Sequence, residues 1–156
     1  MLSVVIATEN AERVLVPTLA ALVPGATAGI VREVIVADAG SSDATAMIAD
    51  AAGCRIDVEP APLGHRLRQA AAGARAPWLM FLHPGAVPDW TWIEETRRFI
   101  EQAELRRRPD ARAAAFDCAP RPLRRSALTA VSPIGSGAAA GSGYRSAAED
   151  RDMAAI

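Results

Sequence analysis

Short apolar runs alternate along the chain with longer stretches in which apolar residues recur every three or four positions. Each run is too short for a helix, and the first two are rich in valine and isoleucine, which is typical of strands covered on both faces. The longer stretches have the spacing of amphipathic helices. The predicted strands are residues 2–7, 33–38, 54–58, 78–83 and 112–117, and the predicted helices are residues 11–23, 43–52, 65–75 and 90–107.

This alternation over short connections predicts an α/β fold, with a mostly parallel sheet and helices on both faces in a Rossmann-like three-layer sandwich. The character of the chain changes after Ala119, because residues 120–148 are rich in proline, glycine, serine and alanine. Such a composition is typical of loops and flexible tails. We therefore expect one α/β domain over residues 1–118 and an irregular C-terminal region over residues 119–156.

The chain has 156 residues, enough for one domain with a core of its own. Its formal net charge of −1 gives no general electrostatic reason to bind nucleic acid, and all 17 basic residues are arginine. No stretch approaches the roughly 20 apolar residues of a membrane span, and the first apolar run lacks a basic leader. We therefore expect a cytoplasmic protein, with peripheral membrane association left open. Cys54 and Cys118 lie far apart without a CxxC pair, which favours two small buried side chains.

Ligands of open parallel sheets gather beyond the carboxyl ends of the strands, where loops and helix N-termini meet. This rule selects residues 7–10, 38–43 and 83–85. Asp38 ends an apolar strand, where a carboxylate is costly unless a donor satisfies it. A ring N–H of uracil or guanine, or a ribose hydroxyl, would be such a donor; the alternative is that Asp38 caps its own turn. Gly40 would let the backbone approach a ligand closely.

Three segments resemble the motifs of family 2 glycosyltransferases, in the same order and with the same spacing. LSVVIATEN is similar to the family's VIPxxNE strand end, and VIVADAGSSDAT is similar to its DGGSxDGT turn. WLMFLHPG is similar to its WLLFLHAD strand, and the PxxW pattern that follows in the family is matched by Pro88, Asp89 and Trp92. The match covers residues 2–92. It implies a GT-A fold that binds a nucleotide-diphosphate sugar, such as a UDP-sugar, over residues 1–118 and transfers the sugar to an acceptor hydroxyl, usually with a divalent metal.

The same resemblance implies that Thr8 and Asn10 line the nucleotide pocket, with Asp38 facing the base and Gly40 beside the donor. It also predicts the family's general base, because GYR and EDRD within residues 143–152 are similar to the family's GFR and EDVD segments. Asp150 would then deprotonate the acceptor hydroxyl. Residues 119–156 would be a shortened acceptor region, and the alternative is an acidic tip on a flexible tail.

The sequence departs from the family motifs at the metal site. Gly85 stands where the family has the acidic residue that coordinates Mn²⁺ or Mg²⁺. His83 is left as the candidate ligand, and one imidazole suits these hard cations poorly. Arg66 and Arg68, on the helix before that strand, are candidates to neutralise the donor phosphates instead, and solvated surface positions are the alternative.

Two functions follow from these motifs: a glycosyltransferase, and a catalytically impaired module that binds nucleotide sugars but lacks the metal-ligating residue. A dinucleotide-binding or methyl-donor Rossmann enzyme is disfavoured, because the turn after the first strand contains no glycine. A phosphate-accepting receiver domain is disfavoured as well, since it needs a lysine and this chain has none.

Overall fold

The computed structural model describes residues 1–105, 113–116, 118–119 and 126–130. Strands and helices alternate through most of this part of the chain. The helices are α1 (Glu12–Thr27), α2 (Thr45–Ala51), α3 (Leu63–Ala72) and α4 (Trp92–Leu105). The strands are β1 (Leu2–Thr8), β2 (Val31–Asp38), β3 (Arg55–Val58), β4 (Trp78–Leu82), β5 (Val87–Pro88), β6 (Ala113–Phe116), β7 (Cys118–Ala119) and β8 (Ser126–Ala130).

Six of the strands form one sheet in the order β3-β2-β1-β4-β8-β6. Strands β3, β2, β1 and β4 run parallel to one another. Strand β8 is antiparallel to both β4 and β6. β5 and β7 make a separate antiparallel pair. The prediction of a mostly parallel α/β sheet is confirmed, and β1 lies inside the sheet with β2 on one side and β4 on the other.

Helices cover both faces of the sheet, as predicted. The larger core lies on one face and contains residues of α1, α2 and α4, whereas α3 packs on the opposite face. Successive side chains of a strand point to opposite faces. Val4 and Ile6 accordingly belong to the larger core and Val5 to the smaller one. Burial on both faces explains why the strands are nearly continuous apolar runs in the sequence.

Helix α1 continues beyond its predicted end at residue 23, through Pro24 and up to Thr27. A proline removes one helical N–H, but its fixed φ suits a helix, so the interruption is tolerated where packing compensates for it. That packing comes from Gly25, which is buried and lies directly under the indole ring of Trp92. The helix ends at Thr27, and Gly29 follows two residues later with a φ of 70°, a left-handed conformation typical of the residues just after a helix.

Strand β8 lies within residues 120–148, most of which is predicted to be loop or tail, and Ser126–Ala130 forms a strand inside the main sheet. Only one of these five residues is a large apolar residue, so the segment carries a weak strand pattern. The sheet therefore includes residues beyond 118. The boundary between residues 1–118 and 119–156 stays a prediction, and most of the second segment lies outside the described residues.

No helix within the part of the chain that the structure describes is long and apolar enough to cross a membrane. Cys54 is half-buried, and burial raises the pKa of its thiol. A thiol with a raised pKa is less often the reactive thiolate, in keeping with the prediction of a small packed side chain.

Candidate nucleotide-sugar site

The carboxyl ends of β1, β2 and β4 lie side by side at one edge of the sheet. The strand register pairs Thr8 with Asp38, and it pairs Ile6 with Leu82 at the end of β4. The chain proceeds from β1 outward through β2 and β3, and then returns to the other side of β1 to form β4. Such a reversal of strand order opens a crevice between the loops that follow the two central strands. The three predicted segments therefore meet at one edge.

Asp38 is a buried carboxylate that accepts four hydrogen bonds from the protein itself. Its Oδ1 accepts the hydroxyls of Thr8 at 2.7 Å and Ser41 at 2.5 Å. Its Oδ2 accepts the backbone N–H groups of Gly40 at 3.0 Å and Ser41 at 2.6 Å. A carboxylate has about four acceptor directions, so the local turn satisfies this one. These bonds match the alternative that Asp38 caps its own turn, and a contact with a nucleotide base stays a prediction.

The same hydrogen bonds decide the ionisation of Asp38. Burial acts to raise the pKa of its carboxyl group, but the hydrogen bonds from Ser41, Thr8 and Gly40 outweigh burial and lower that pKa below its ordinary value of 3.8. The side chain is only 1% exposed. Asp38 is therefore a fixed negative charge at the end of β2, held by its own turn.

The loops after β1 and β2 are joined by reciprocal hydrogen bonds. The side-chain oxygen of Asn10 accepts the Ser42 N–H at 3.0 Å, and the Asn10 N–H donates to the Ser41 hydroxyl at 2.8 Å. Asp43 accepts the Glu12 N–H at 3.1 Å, while Glu12 accepts the Ala44 N–H at 3.0 Å. We call these two connected loops, residues 9–12 and 39–45, the double loop. It forms one wall of the crevice.

Asn10 holds the double loop in an uncommon backbone conformation, with a φ of 48°. We expect Asn10→Ala to lower the free energy of unfolding by about 1 to 2 kcal/mol, because alanine tolerates this region poorly and removes the acceptor for Ser42. Asn10→Gly removes the same acceptor but tolerates the conformation, so it should cost less. Urea unfolding of both variants measures the difference. Equal costs would show that the backbone conformation contributes nothing.

The N-termini of α1 and α2 are occupied by side chains of the double loop. Asp43 accepts the Thr45 N–H at 3.0 Å as well as the Glu12 N–H, and the Thr45 hydroxyl accepts the Ala11 N–H at 2.8 Å. The hydrogen bond from the Thr45 side chain is the main cause that lowers the pKa of Asp43. Helix N-termini are common phosphate sites, but carboxylates already fill these two. A donor phosphate needs positive charge from elsewhere.

Arg66 supplies a buried positive charge below this edge of the sheet. Its side chain is 7% exposed, and its Nη1 donates to the carbonyls of Thr8 at 3.0 Å and Ala37 at 2.5 Å. Its Nε donates to the Ala61 carbonyl at 3.1 Å. The alternative that this arginine is a solvated surface side chain is thus wrong, because it is buried and ties the ends of β1 and β2 to α3. Its contact with a donor phosphate stays a prediction.

Arg68 is exposed on α3, two residues further along the helix. A step of two residues turns a helix by more than half a revolution, so Arg68 faces away from the sheet while Arg66 faces toward it. Its guanidinium lies near the backbone of Gly64, where an added Cβ would be 3.7 Å from Nη1. A role for Arg68 in donor binding stays a prediction.

Strand β4 ends in a tight turn over residues 83–86, closed by a hydrogen bond of 3.0 Å from the Ala86 N–H to the His83 carbonyl. Pro84 and Gly85 occupy its two central positions, and Gly85 has a φ of 89°. Proline followed by a glycine with positive φ is typical of a type II turn. The Gly85 N–H donates to the buried hydroxyl of Thr18 at 2.8 Å, which fastens the turn to α1.

These residues do not fit the divalent metal that the family implies. Among the described residues, no group of three or more histidine, cysteine, aspartate or glutamate side chains is placed to hold a metal ion. His83 is exposed at the end of β4, and the turn after it contains no carboxylate. An acidic residue at position 85 would adopt the left-handed region at a cost of about 1 to 2 kcal/mol. Asp150, the predicted base, lies outside the described residues.

Sequence reasoning missed the residues that build the double loop. Ser41, Thr45 and Glu12 were not singled out, although a serine three residues after Asp38 is a recognisable signal for a capped turn. The bonds between the two loops join residues 31 to 34 positions apart, and they exist only because β1 and β2 pair in this register. Gly40 has a positive φ of 91°, and no atom lies within 4 Å of the place of its missing Cβ.

The chain belongs to glycosyl transferase family 2, whose model matches residues 3–106. A search of curated proteins found no match. Among solved structures, residues 1–349 of TarS from S. aureus share 20% identity at a TM-score of 0.55, with 66% of this chain and 33% of that chain covered. That likeness shows the GT-A fold.

A second solved structure is similar at the level of the fold and, weakly, of the sequence. It is the glucosyl-3-phosphoglycerate synthase of Mycobacterium tuberculosis in complex with Mn²⁺, UDP and phosphoglyceric acid, with 25% identity and a TM-score of 0.51. The alignment covers 60% of this chain and 36% of that chain. The present chain thus spans about a third of the length of either structure.

Proposed function

We propose that this chain is the donor-binding part of a family 2 glycosyltransferase. A nucleotide-diphosphate sugar would bind at the carboxyl ends of β1, β2 and β4, and the sugar would pass to an acceptor hydroxyl. The observation that carries the proposal is the double loop, which is built around Asp38 and borders the crevice at the reversal of strand order. The similar synthase from Mycobacterium tuberculosis binds UDP, which supports a nucleotide as the ligand.

The residues of this edge divide into those that shape the pocket and those that face the donor. Asp38 and Thr8 are buried and hold the double loop in shape. Asn10 and Gly40 are exposed on that loop and are the candidates for contact with the nucleotide. Arg66 fixes the ends of β1 and β2, and its positive charge favours the nearby diphosphate.

Sugar transfer is a displacement at the anomeric carbon. The acceptor oxygen forms a bond to that carbon while the bond to the diphosphate oxygen breaks, and the nucleoside diphosphate leaves with the bonding electrons. A general base takes the proton of the acceptor hydroxyl. The proposed base is Asp150, by resemblance to the family's acidic segment.

A second candidate function is a binding module without turnover. Gly85 favours it, because the described part of the site lacks the carboxylate at this turn. Both candidates require nucleotide binding, whereas only the first requires transfer or hydrolysis of the sugar. The acceptor, the sugar and the base of the nucleotide are left to experiment.

Calorimetric titration with UDP, GDP and their glucose or mannose conjugates tests the proposal. We expect one nucleotide to bind with a Kd of about 1 mM or tighter, in the usual range of enzyme substrates. Sugar-nucleotide hydrolysis then separates the two candidates. Asp150→Asn should abolish turnover and leave binding intact, while Asp152→Asn, with the same change of charge two residues away, should retain both. Absence of binding by every nucleotide would remove both candidates.

A further inference from the structure

We infer that this chain binds the diphosphate of its donor without a divalent cation at the β4 turn, and that Arg66 provides the compensating positive charge. The inference rests on the proposed function. It concerns the positive charge that neutralises the diphosphate. The similar synthase from Mycobacterium tuberculosis, in contrast, is in complex with Mn²⁺ and UDP.

The first argument is the construction of the turn after β4. The Pro84–Gly85 pair makes a tight turn with a positive φ at Gly85, and the Thr18 hydroxyl accepts the Gly85 N–H. A Cβ at position 85 would lie 3.4 Å from Cβ of Val14 on α1. The turn therefore presents no side chain at position 85, and its backbone there has a conformation that disfavours one. Replacing glycine with aspartate would strain this turn before it could present a carboxylate.

The second argument is that the neighbouring carboxylates are already satisfied. Asp38 accepts four hydrogen bonds from its own turn and from Thr8. Asp43 and Glu12 accept the N–H groups at the starts of α1 and α2. A cation bound by the oxygens of Asp38 would have to displace donors that build the double loop. The described residues hence supply no ready set of oxygen ligands at this edge.

The third argument is the electrostatic state of Arg66. Its guanidinium is buried, yet no carboxylate oxygen of the described residues lies within 4.0 Å of it. Its Nε and Nη1 donate to three carbonyls, while Nη2 makes no hydrogen bond to the described part of the protein. Three carbonyl oxygens compensate part of the charge of this guanidinium, and an anion bound close to it would compensate more. The diphosphate at the adjacent strand ends is the anion that the proposed function supplies.

The test compares nucleoside and nucleoside diphosphate, uridine with UDP and guanosine with GDP, by calorimetry on the full chain. For wild type, we expect the diphosphate to bind with the same Kd in EDTA as in millimolar Mn²⁺, within about twofold. A tenfold or greater gain in affinity on adding Mn²⁺ would overturn the inference. If neither nucleoside nor diphosphate binds under any condition, the proposed function fails, which is a different result.

Variants of Arg66 test the source of the charge. Arg66→Gln should weaken diphosphate binding by roughly tenfold or more and leave nucleoside binding unchanged, because a charged hydrogen bond is lost. Arg98→Gln on α4 removes the same charge from an exposed position and should change neither affinity. Equal weakening of nucleoside and diphosphate by Arg66→Gln would overturn the inference. If Arg66→Gln does not fold, Arg66→Lys serves as the test, because it keeps the positive charge. This variant should still bind the diphosphate more tightly than the nucleoside, and loss of that preference would count against the inference.

Discussion

Asp38→Ala is expected to lower the free energy of unfolding by about 3 to 5 kcal/mol, the largest cost of any substitution at the proposed site. Alanine leaves four donors without their acceptor: the hydroxyls of Thr8 and Ser41 and the N–H groups of Gly40 and Ser41. Thr8 is only 1% exposed, so water does not readily replace the lost oxygen there. Urea unfolding at neutral pH measures the cost.

Asp57→Ala is a suitable control for this substitution. Asp57 lies on the adjacent strand β3, and it pairs with Arg55 at 2.9 Å where both side chains are partly exposed. Surface ion pairs contribute about 1 kcal/mol or less, so this variant should lose little stability. Similar costs for the two variants would contradict the role assigned to Asp38.

The lowered pKa of Asp38 adds a dependence on pH to the same prediction. A carboxyl group with a lower pKa in the folded state than in the unfolded state stabilises the fold above its unfolded value, here about 3.8. This contribution is lost as the pH falls through the folded pKa. Acidification below about pH 4 should therefore destabilise wild type more than Asp38→Asn, as measured by urea unfolding at a series of pH values.

Because Asp38 builds the double loop, its substitution would act indirectly on the proposed binding of a nucleotide. A loss of affinity in Asp38→Ala would reflect a changed loop together with any lost contact to the base. A side chain at Gly40 would have open space beside it, but the φ of 91° would strain the loop there as well. Substitutions at either residue therefore report on the shape of the loop together with any contact to the ligand.

The central strands β1 and β4 were predictable because they are buried on both faces. A strand buried on both faces consists mostly of apolar residues, and such a run is visible in the local sequence. The observed β1 and β4 each differ from the predicted span by only one residue. β8 was not predicted, since a short segment of small residues has no such run. Its place next to β4 depends on pairing between distant parts of the chain, which hydrophobic periodicity does not encode.

The meeting of the three predicted loops at one end of the sheet was predictable from the strand ends, but the contacts of their residues were not. Asp38 looked like a ligand contact because a carboxylate at the end of an apolar strand needs donors. The sequence shows that donors are required but leaves open whether they come from ligand or protein. Arg66 illustrates the same limit, because its helix alone gives no sign that its guanidinium reaches the carbonyls of β1 and β2.

The contact between α1 and α4 gives the second large prediction. Trp92 is 3% exposed, and its ring occupies the space where a Cβ on Gly25 would lie, 2.3 Å from Cη2. Trp92→Ala should lower the free energy of unfolding by about 3 to 5 kcal/mol, because it removes a large buried side chain and leaves a cavity. Gly25→Ala should cost about 1 to 3 kcal/mol through overpacking against the intact ring.

A double-mutant cycle distinguishes this contact from a general effect on α1. In the Trp92→Ala background the two ring contacts of the added methyl group are gone and only Val31 Cγ2 stays close, at 3.0 Å. The cost of Gly25→Ala should therefore fall sharply, and the two changes should be strongly non-additive. Gly29→Ala is the control: its φ of 70° strains alanine, yet no atom lies within 4 Å of the added Cβ. Its cost should be the same in both backgrounds. If the costs of Gly25→Ala and Trp92→Ala in urea unfolding are fully additive, the glycine is needed for helix geometry and not for close packing. The continuation of α1 through Pro24 would then need another cause.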